Sequence, residues 1–147
     1  MDKLNVYLDN CCFNRPYDDQ GNLLVLLETE AKLFIQDLIL SGELTLVWSF
    51  VLDYENNANP FLERKRSISK WKRFSIIDCD LCEQITNDAR ALMKIGLRQK
   101  DASHIACAAY ANADYFITTD KKILNKSILD IKIINPVDFV RRWYLDE

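Results

Sequence analysis

Five short apolar runs along the chain have the length and composition of buried β-strands. Each has four or five residues and is rich in leucine, isoleucine, valine or aromatic side chains. The runs are Leu4–Leu8, Leu44–Trp48, Phe74–Ile77, Asp114–Thr118 and Ile131–Ile134. Segments that follow a helical pattern of apolar and polar residues separate them, so the sequence predicts alternating strands and helices.

The helical segments have apolar residues at a spacing of three to four, and several begin or end at residues that favour helix termini. The predicted helices are Leu23–Leu40, Phe50–Asn57 with Ser49 as its cap, a basic helix over about 63–73, a helix from Leu81 to Gly96 capped by Asp80, the alanine-rich helix Asp101–Ala113, a helical turn at Lys121–Leu124, and Pro136–Tyr144.

Strands that alternate with helices indicate a mostly parallel sheet with helices on both faces. The predicted fold class is therefore an α/β/α sandwich. No repeat, low-complexity segment or linker-like stretch interrupts the pattern, so residues 1–147 are interpreted as a single domain.

Composition narrows the class of protein further. A chain of 147 residues buries enough surface to fold without disulfides or a structural metal. No apolar stretch reaches the ~20 residues that span a bilayer, and the N-terminus does not read as a signal peptide, so we expect a cytoplasmic protein. The five cysteines are interpreted as free thiols, because their number is odd and their positions suggest no disulfide framework. A zinc site is not expected, because Cys79 and Cys82 have no second ligand pair at a zinc spacing.

The charge balance does not indicate a dedicated nucleic-acid binder. The formal net charge is −3 and the pI is near 5.2. A local basic run lies at 64–73, and Lys121, Lys122 and Lys126 form a second cluster. The basic run fits a solvated helix face better than a surface that follows phosphates, although both interpretations remain open.

Four acidic residues occupy positions where an α/β sheet places its ligands, near the carboxyl ends of strands. Asp9 and Asp120 directly follow predicted strands, Glu55 lies near the end of the helix after the second strand, and Asp101 opens the alanine-rich helix. Alone, each fits a surface carboxylate. If the four converge, a divalent cation would relieve their repulsion, and an all-oxygen set favours Mg²⁺ or Mn²⁺ over Zn²⁺. Such sites support phosphodiester hydrolysis.

Four stretches in the chain together resemble the PIN domain family of nucleases. They are VYLDNCCFNRP, Glu55 within SFVLDYENN, KDASHIACA at 100–108 and ADYFITTD at 113–120. The resemblance implies a PIN-like sandwich with a four- or five-stranded, mostly parallel sheet. It also implies a Mg²⁺- or Mn²⁺-dependent ribonuclease whose acids match Asp9, Glu55, Asp101 and Asp120. Thr118 matches a family Thr or Ser whose hydroxyl orients a water or a phosphate oxygen.

Many bacterial members of this family are similar to VapC toxins, which a small antitoxin protein inhibits. The resemblance therefore implies RNA as substrate, a possible antitoxin partner and a possible homodimer, with apolar contacts available at Phe34, Trp48, Trp71 or Trp143. The insertion at 14–20 and the basic segment after Glu55 depart from the commonest toxin pattern. Arg15, Arg98, Lys121 and Lys122 are candidates for contacts with phosphates.

His104 is the only histidine and lies three residues after Asp101, nearly on the same helix face. We interpret it as a packing residue rather than a general base. An alternative function is a non-catalytic binding or assembly module with the same fold. A phosphoryl-transfer domain of the receiver or haloacid-dehalogenase type fits less well, because Asp9 is followed by Asn10 and Cys11 rather than by the acids those families use.

Overall fold

All five predicted strands form in the computed structural model, which describes residues 3–124 and 127–146. The strands are β1 (Leu4–Leu8), β2 (Leu44–Ser49), β3 (Ser75–Cys79), β4 (Tyr115–Ile117), β5 (Ser127–Ile128) and β6 (Ile131–Ile134). The helices are α1 (Asn10–Asn14), α2 (Leu23–Leu40), α3 (Phe50–Asn57), α4 (Leu62–Ser69), α5 (Glu83–Lys94), α6 (Gln99–Tyr110) and α7 (Pro136–Asp146), with 3₁₀ turns at Arg15–Tyr17 and Lys70–Phe74.

The strands form one sheet in the order β3-β2-β1-β4-β6-β5. Five of them are parallel, and only the two-residue β5 pairs antiparallel with its neighbour β6. A parallel sheet needs helical crossovers that cover its faces. The predicted class, an α/β sandwich with a mostly parallel sheet, is therefore confirmed, with one short edge strand in addition.

The helices pack on the sheet in two groups. α2 packs with α7, α5 packs with α6, and both α2 and α6 contact β2. All six residues of β2 are buried, as expected for a central strand covered on both faces. In α6 the small side chains Ala102, Ala106 and Ala108 are fully buried, so this helix can approach the sheet closely.

Several element boundaries differ from the sequence predictions. The α5 helix begins at Glu83 rather than at Leu81, and Asp80 does not cap it, because β3 continues to Cys79 and the chain needs residues 80–82 to turn away from the sheet. The α6 helix begins two residues before Asp101 and ends before Asn112, which has a φ of 56°. Residues 121–124 form a turn, which agrees with the helical turn predicted there.

The structure also corrects one expectation about a dimer contact. Trp48 is fully buried in the core and packs edge-on against Phe13, so it cannot contact a second copy. Phe34, Trp71 and Trp143 are half-buried at the edge of the core. The five cysteines are free thiols, and Cys12, Cys79 and Cys107 are buried. Within the described part of the chain, no helix is both long and apolar enough to cross a membrane.

Substitution of Phe116 on β4 tests how much the packing of the core contributes to stability. Its ring is fully buried and stacks on Tyr7, with ring centroids 5.3 Å apart. We expect Phe116→Ala to lower the free energy of unfolding by about 3–5 kcal/mol, because it leaves a cavity in the core. Urea denaturation measures this change.

Leu81→Ala is the control, because that side chain is 66% exposed. Its free energy of unfolding should stay within about 0.5 kcal/mol of the wild-type value. Equal losses for the two variants would contradict the core described above.

Candidate metal centre

The carboxyl ends of β1 and β4 lie side by side where the strand order of the sheet reverses. From β1 the order runs to β2 and β3 on one side, and from β4 to β6 on the other. The crevice at such a point is where open α/β sheets bind their ligands. Asp9 directly follows β1, and Thr118 directly follows β4. Local folding therefore places these two side chains at the crevice.

Hydrogen bonds hold the carboxylate of Asp9 from both sides. Its Oδ1 accepts from the backbone N–H of Asn10 at 2.8 Å, as the cap of α1. Its Oδ2 accepts from the hydroxyl of Thr118 at 2.7 Å. Asp9 is only 7% exposed and Thr118 is fully buried. These two hydrogen bonds fix the position of the Asp9 side chain at the crevice.

Glu55 reaches the same point from α3, and His104 from α6. The Nε2 of His104 is hydrogen-bonded to Oε1 of Glu55 and lies 3.7 Å from Oδ1 of Asp9. The side-chain amide of Asn10 donates to the other oxygen of Glu55 at 3.3 Å. One potential ligand atom from each of Asp9, Glu55 and His104 lies within 4.8 Å of the other two. Three separate elements thus contribute to one cluster.

A buried chain of hydrogen bonds fixes the orientation of His104. Its Nδ1 is 2.6 Å from the hydroxyl of Tyr7, which is also 2.6 Å from the hydroxyl of Ser49. Ser49 in turn accepts from the backbone N–H of Leu52 and caps α3, the helix that carries Glu55. The same short chain therefore positions both members of the Glu55–His104 pair.

The charges of this cluster shift the pKa values of Glu55 and His104 in opposite directions. Burial alone would lower the pKa of His104, but its bond to Glu55 and the charges of Asp9, Glu55 and Asp101 raise the pKa above the usual value. Burial alone would raise the pKa of Glu55, but its bond to His104 lowers it. Both shifts favour an imidazolium–carboxylate pair.

Asp101 and Asp120 lie near this cluster but are not among the three residues whose ligand atoms lie within 4.8 Å of one another. Burial, and then the negative charges of Asp9 and Asp120, raise the pKa of Asp101 against the opposing charges of His104 and Arg98. The backbone N–H of Asp120 donates to Oγ1 of Thr118 at 3.1 Å, and its Oδ1 accepts from the N–H of Lys122. The four predicted acids therefore come to one edge of the sheet, with Asp9 and Glu55 closest to His104.

The donor atoms of this cluster fit a hard divalent cation. Both nitrogens of His104 are occupied, by Tyr7 and by Glu55, so the atoms left for a ligand are carboxylate oxygens. Oxygen ligands favour Mg²⁺ or Mn²⁺, whereas Zn²⁺ prefers nitrogen and sulfur. The charges that raise the pKa of Asp101 show an excess of negative charge that a cation would offset.

Three side chains behave differently from the sequence interpretation. His104 lies in the acidic cluster itself rather than packed elsewhere. Its spacing of three residues from Asp101 was the sequence feature that could have predicted this position. The hydroxyl of Thr118 donates to Asp9, so it supports that carboxylate instead of facing a phosphate. Arg15 is bonded to Glu28 and Asp18, which removes it as a phosphate contact. Lys126 lies outside the described residues.

No family model matches the chain, and no curated protein matches its sequence. Thirteen chains of solved structures match its fold. One belongs to the crystal structure of VapBC2 from Rickettsia felis bound to a DNA fragment from their promoter, with a TM-score of 0.58 and 16% identity. The alignment covers 90% of this chain and 98% of that one. This likeness shows the fold alone. It agrees with the PIN-like sandwich expected from the sequence.

Because His104 is the only histidine, its ionisation can be followed without ambiguity by NMR. We expect its imidazole to titrate above the ordinary value of 6.5 in metal-free buffer. A raised folded-state pKa means that the imidazolium stabilises the fold below about pH 6.5, and that this contribution is lost as the pH rises through the folded-state pKa. Glu55→Gln should lower the pKa, because its hydrogen bond and negative charge are lost.

Glu63→Gln is the matched control, since Glu63 is an exposed acid on α4. It should leave the titration of His104 unchanged. A wild-type pKa at or below 6.5, or one that does not respond to Glu55→Gln, would contradict the ion pair described here.

Proposed function

We propose that this protein is a Mg²⁺- or Mn²⁺-dependent endoribonuclease that hydrolyses phosphodiester bonds of RNA. The observation that carries the proposal is the meeting of Asp9, Glu55 and His104 at the crevice where the strand order reverses, with Asp101 within range of the charges of Asp9 and Asp120. The likeness in fold to a chain of VapBC2 supports the same function, as does the resemblance in motifs to PIN nucleases.

Asp9, Glu55, Asp101 and Asp120 are proposed to hold the cation. When bound, a divalent cation supplies positive charge at the phosphate and makes water a stronger nucleophile near neutral pH. Thr118 and the N–H of Asn10 keep the carboxylate of Asp9 in place, while His104 does the same for Glu55. In this arrangement Thr118 and His104 are positioning residues, and the acids are the catalytic ones.

Basic side chains beside the acids are proposed to contact the phosphates of the RNA. Arg98 precedes α6 and is close enough for its charge to lower the pKa of Asp101 against the other groups. Lys121 and Lys122 are exposed and directly follow Asp120. Their charge is local, which explains how a chain with a net charge of −3 can bind a polyanion.

RNA cleavage by purified protein tests this function. A labelled RNA of mixed sequence should be cut with added Mn²⁺ or Mg²⁺ and left intact with a chelator, and the resemblance to PIN nucleases implies 5′-phosphate and 3′-hydroxyl ends. Asp9→Asn and Asp101→Asn should each reduce the rate by about 100-fold or more, because loss of even an outer-shell partner costs about 10–100-fold at metal sites.

Asp114→Asn is the matched control for these variants. Asp114 lies at the opposite edge of the sheet, where it accepts a hydrogen bond from the N–H of Asn5, and its substitution should leave the rate within about twofold. Full activity of Asp9→Asn would reject the proposed site. A wild-type protein that binds no Mn²⁺ and cuts no RNA would instead favour the alternative, a non-catalytic binding module.

The cellular role proposed here is that of a toxin controlled by a small antitoxin protein. The structural match to VapBC2, which was solved as a complex on DNA, supports a protein partner for this chain as well. Four leucines in the first turns of α2 are exposed and are available for such a contact: Leu23, Leu24, Leu26 and Leu27. A homodimer stays a prediction that the resemblance in sequence motifs implies.

A further inference from the structure

A cavity lies between α1, α2 and α4, and none of the four acids lines it. Its volume is about 150 Å³. A cavity of about 150 Å³ lined by apolar side chains is known to take benzene. The walls here include the rings of Phe13, Tyr17 and Trp71 and the polar side chains Lys32, Gln36 and Ser67. The cavity thus combines the size of a six-membered ring with groups that can form hydrogen bonds.

One of these polar side chains, Gln36, has a buried nitrogen without a partner. Lys32 and Gln36 are one turn apart on the same face of α2, and they are 5% and 4% exposed. The side-chain nitrogen of Gln36 has no hydrogen-bond partner. Buried polar groups are ordinarily satisfied, so a donor that lines a cavity without a partner indicates a missing acceptor.

Lys32 adds a positive charge to the same wall of the cavity. Burial lowers its pKa to about 8, and among the described residues only the Cys12 thiol acts in the opposite direction. The nearby carboxylate of Glu28 is instead paired with Arg15 and accepts from Asn135. The ammonium group lies 5.7 Å from the ring centroid of Phe13, which is a weak substitute for a hydrogen-bond acceptor. Gln36 is therefore a buried donor without an acceptor, and Lys32 places a positive charge one turn away from it on α2.

The surroundings of the cavity favour a nucleotide as the source of that acceptor. The guanidinium of Arg64 lies 5.1 Å from the ring centroid of Tyr17, and it donates to the carbonyl of the same residue. Lys65 and Arg66 follow on the same basic helix α4. Aromatic walls stack on bases, and basic side chains at the rim contact phosphates.

We propose that this cavity is a binding site for the base of a uridine nucleotide, in which Lys32 and Gln36 donate to the 4-keto oxygen of uracil. The ring fits the volume, whereas a purine adds a second ring. A lysine ammonium has three donors and no acceptor. Cytosine carries an amino group where uracil has its 4-keto oxygen, so that edge would oppose donor to donor and bind less tightly.

The cavity lies close to the proposed ribonuclease site. The inference that the bound base is part of an RNA rests on that proposed function. Phe13 lies four residues after Asp9, at the other end of α1. At a helical rise of about 1.5 Å per residue, these positions are only ~6 Å apart along the helix axis. A base in the cavity would thus belong to a nucleotide close to the scissile bond, and the cavity would select where the RNA is cut.

Binding of free uridine to the Asp9→Asn variant in metal-free buffer tests the inference without any catalysis. NMR follows the indole N–H of Trp71, assigned with Trp71→Phe. We expect a saturable shift with uridine and at least tenfold weaker binding of cytidine. The inference is overturned if uridine causes no saturable shift at millimolar concentration, or if cytidine binds as tightly.

Substitutions in the cavity identify the donors. Lys32→Met keeps the length of the side chain and removes the charge, and it should weaken uridine binding at least tenfold. It should also raise the melting temperature, because a buried cation is lost. Gln36→Met is a second variant with the same expected loss of binding. Lys94→Met is the control, because Lys94 is exposed on α5, and it should bind uridine within twofold of the parent chain.

A short uridine-containing RNA in the same assay distinguishes the two sources of the base. Binding at least tenfold tighter than that of uridine identifies RNA as the ligand, and equal binding identifies a free nucleoside. If Lys32→Met and Gln36→Met both bind uridine as tightly as the parent chain, the cavity is rejected as the binding site. Cleavage of RNA by the wild type with no uridine binding would reject this inference and leave the proposed function standing.

Discussion

The hydrogen bond from the Thr118 hydroxyl to the carboxylate of Asp9 joins the two central strands at the site. Asp9 ends β1, and Thr118 ends β4, so this contact spans the point where the strand order reverses. The backbone adds a second connection there, because the N–H of Asp9 donates to the carbonyl of Ile117 at 2.9 Å. A carboxylate that is 7% exposed requires such support. Both candidate functions, the ribonuclease and the non-catalytic binding module, depend on this contact between Asp9 and Thr118.

Around this contact lie Glu55, Asp101 and Asp120, whose charges act with that of Asp9 on His104 or on Asp101. His104 offsets part of that charge through its bond to Glu55, and it is held for this purpose by Tyr7 and Ser49 from the core. Burial, and then the charges of Asp9 and Asp120, raise the pKa of Asp101. A divalent cation at this edge, as proposed above, would offset part of the negative charge of the carboxylates.

The regular part of this structure could be predicted from the sequence because it follows local rules. Apolar runs and helical stripes located five strands and the long helix α2, and the rule that carboxyl ends of parallel strands share an edge directed attention to Asp9 and Asp120. The two-residue β5 and the five-residue α1 were missed, because such short elements have too few residues to show a period.

The side-chain network of the site was less predictable, because it depends on contacts distant in sequence. Tyr7 looks like an ordinary core residue of a buried strand, yet its hydroxyl bonds to His104, 97 positions away. Lys32 lies within a helix whose pattern gives no sign of a cavity, which forms only when α1 and α4 pack beside α2. Such features arise from tertiary structure and have no signature in periodicity.

Crystals of the protein soaked in Mn²⁺, with anomalous diffraction measured at the manganese edge, test the central claim most directly. The account predicts an anomalous peak bounded by Asp9, Glu55, Asp101 and Asp120, which disappears in crystals of Asp9→Asn. Manganese that binds elsewhere on the surface, or a peak that survives this substitution unchanged, would contradict it.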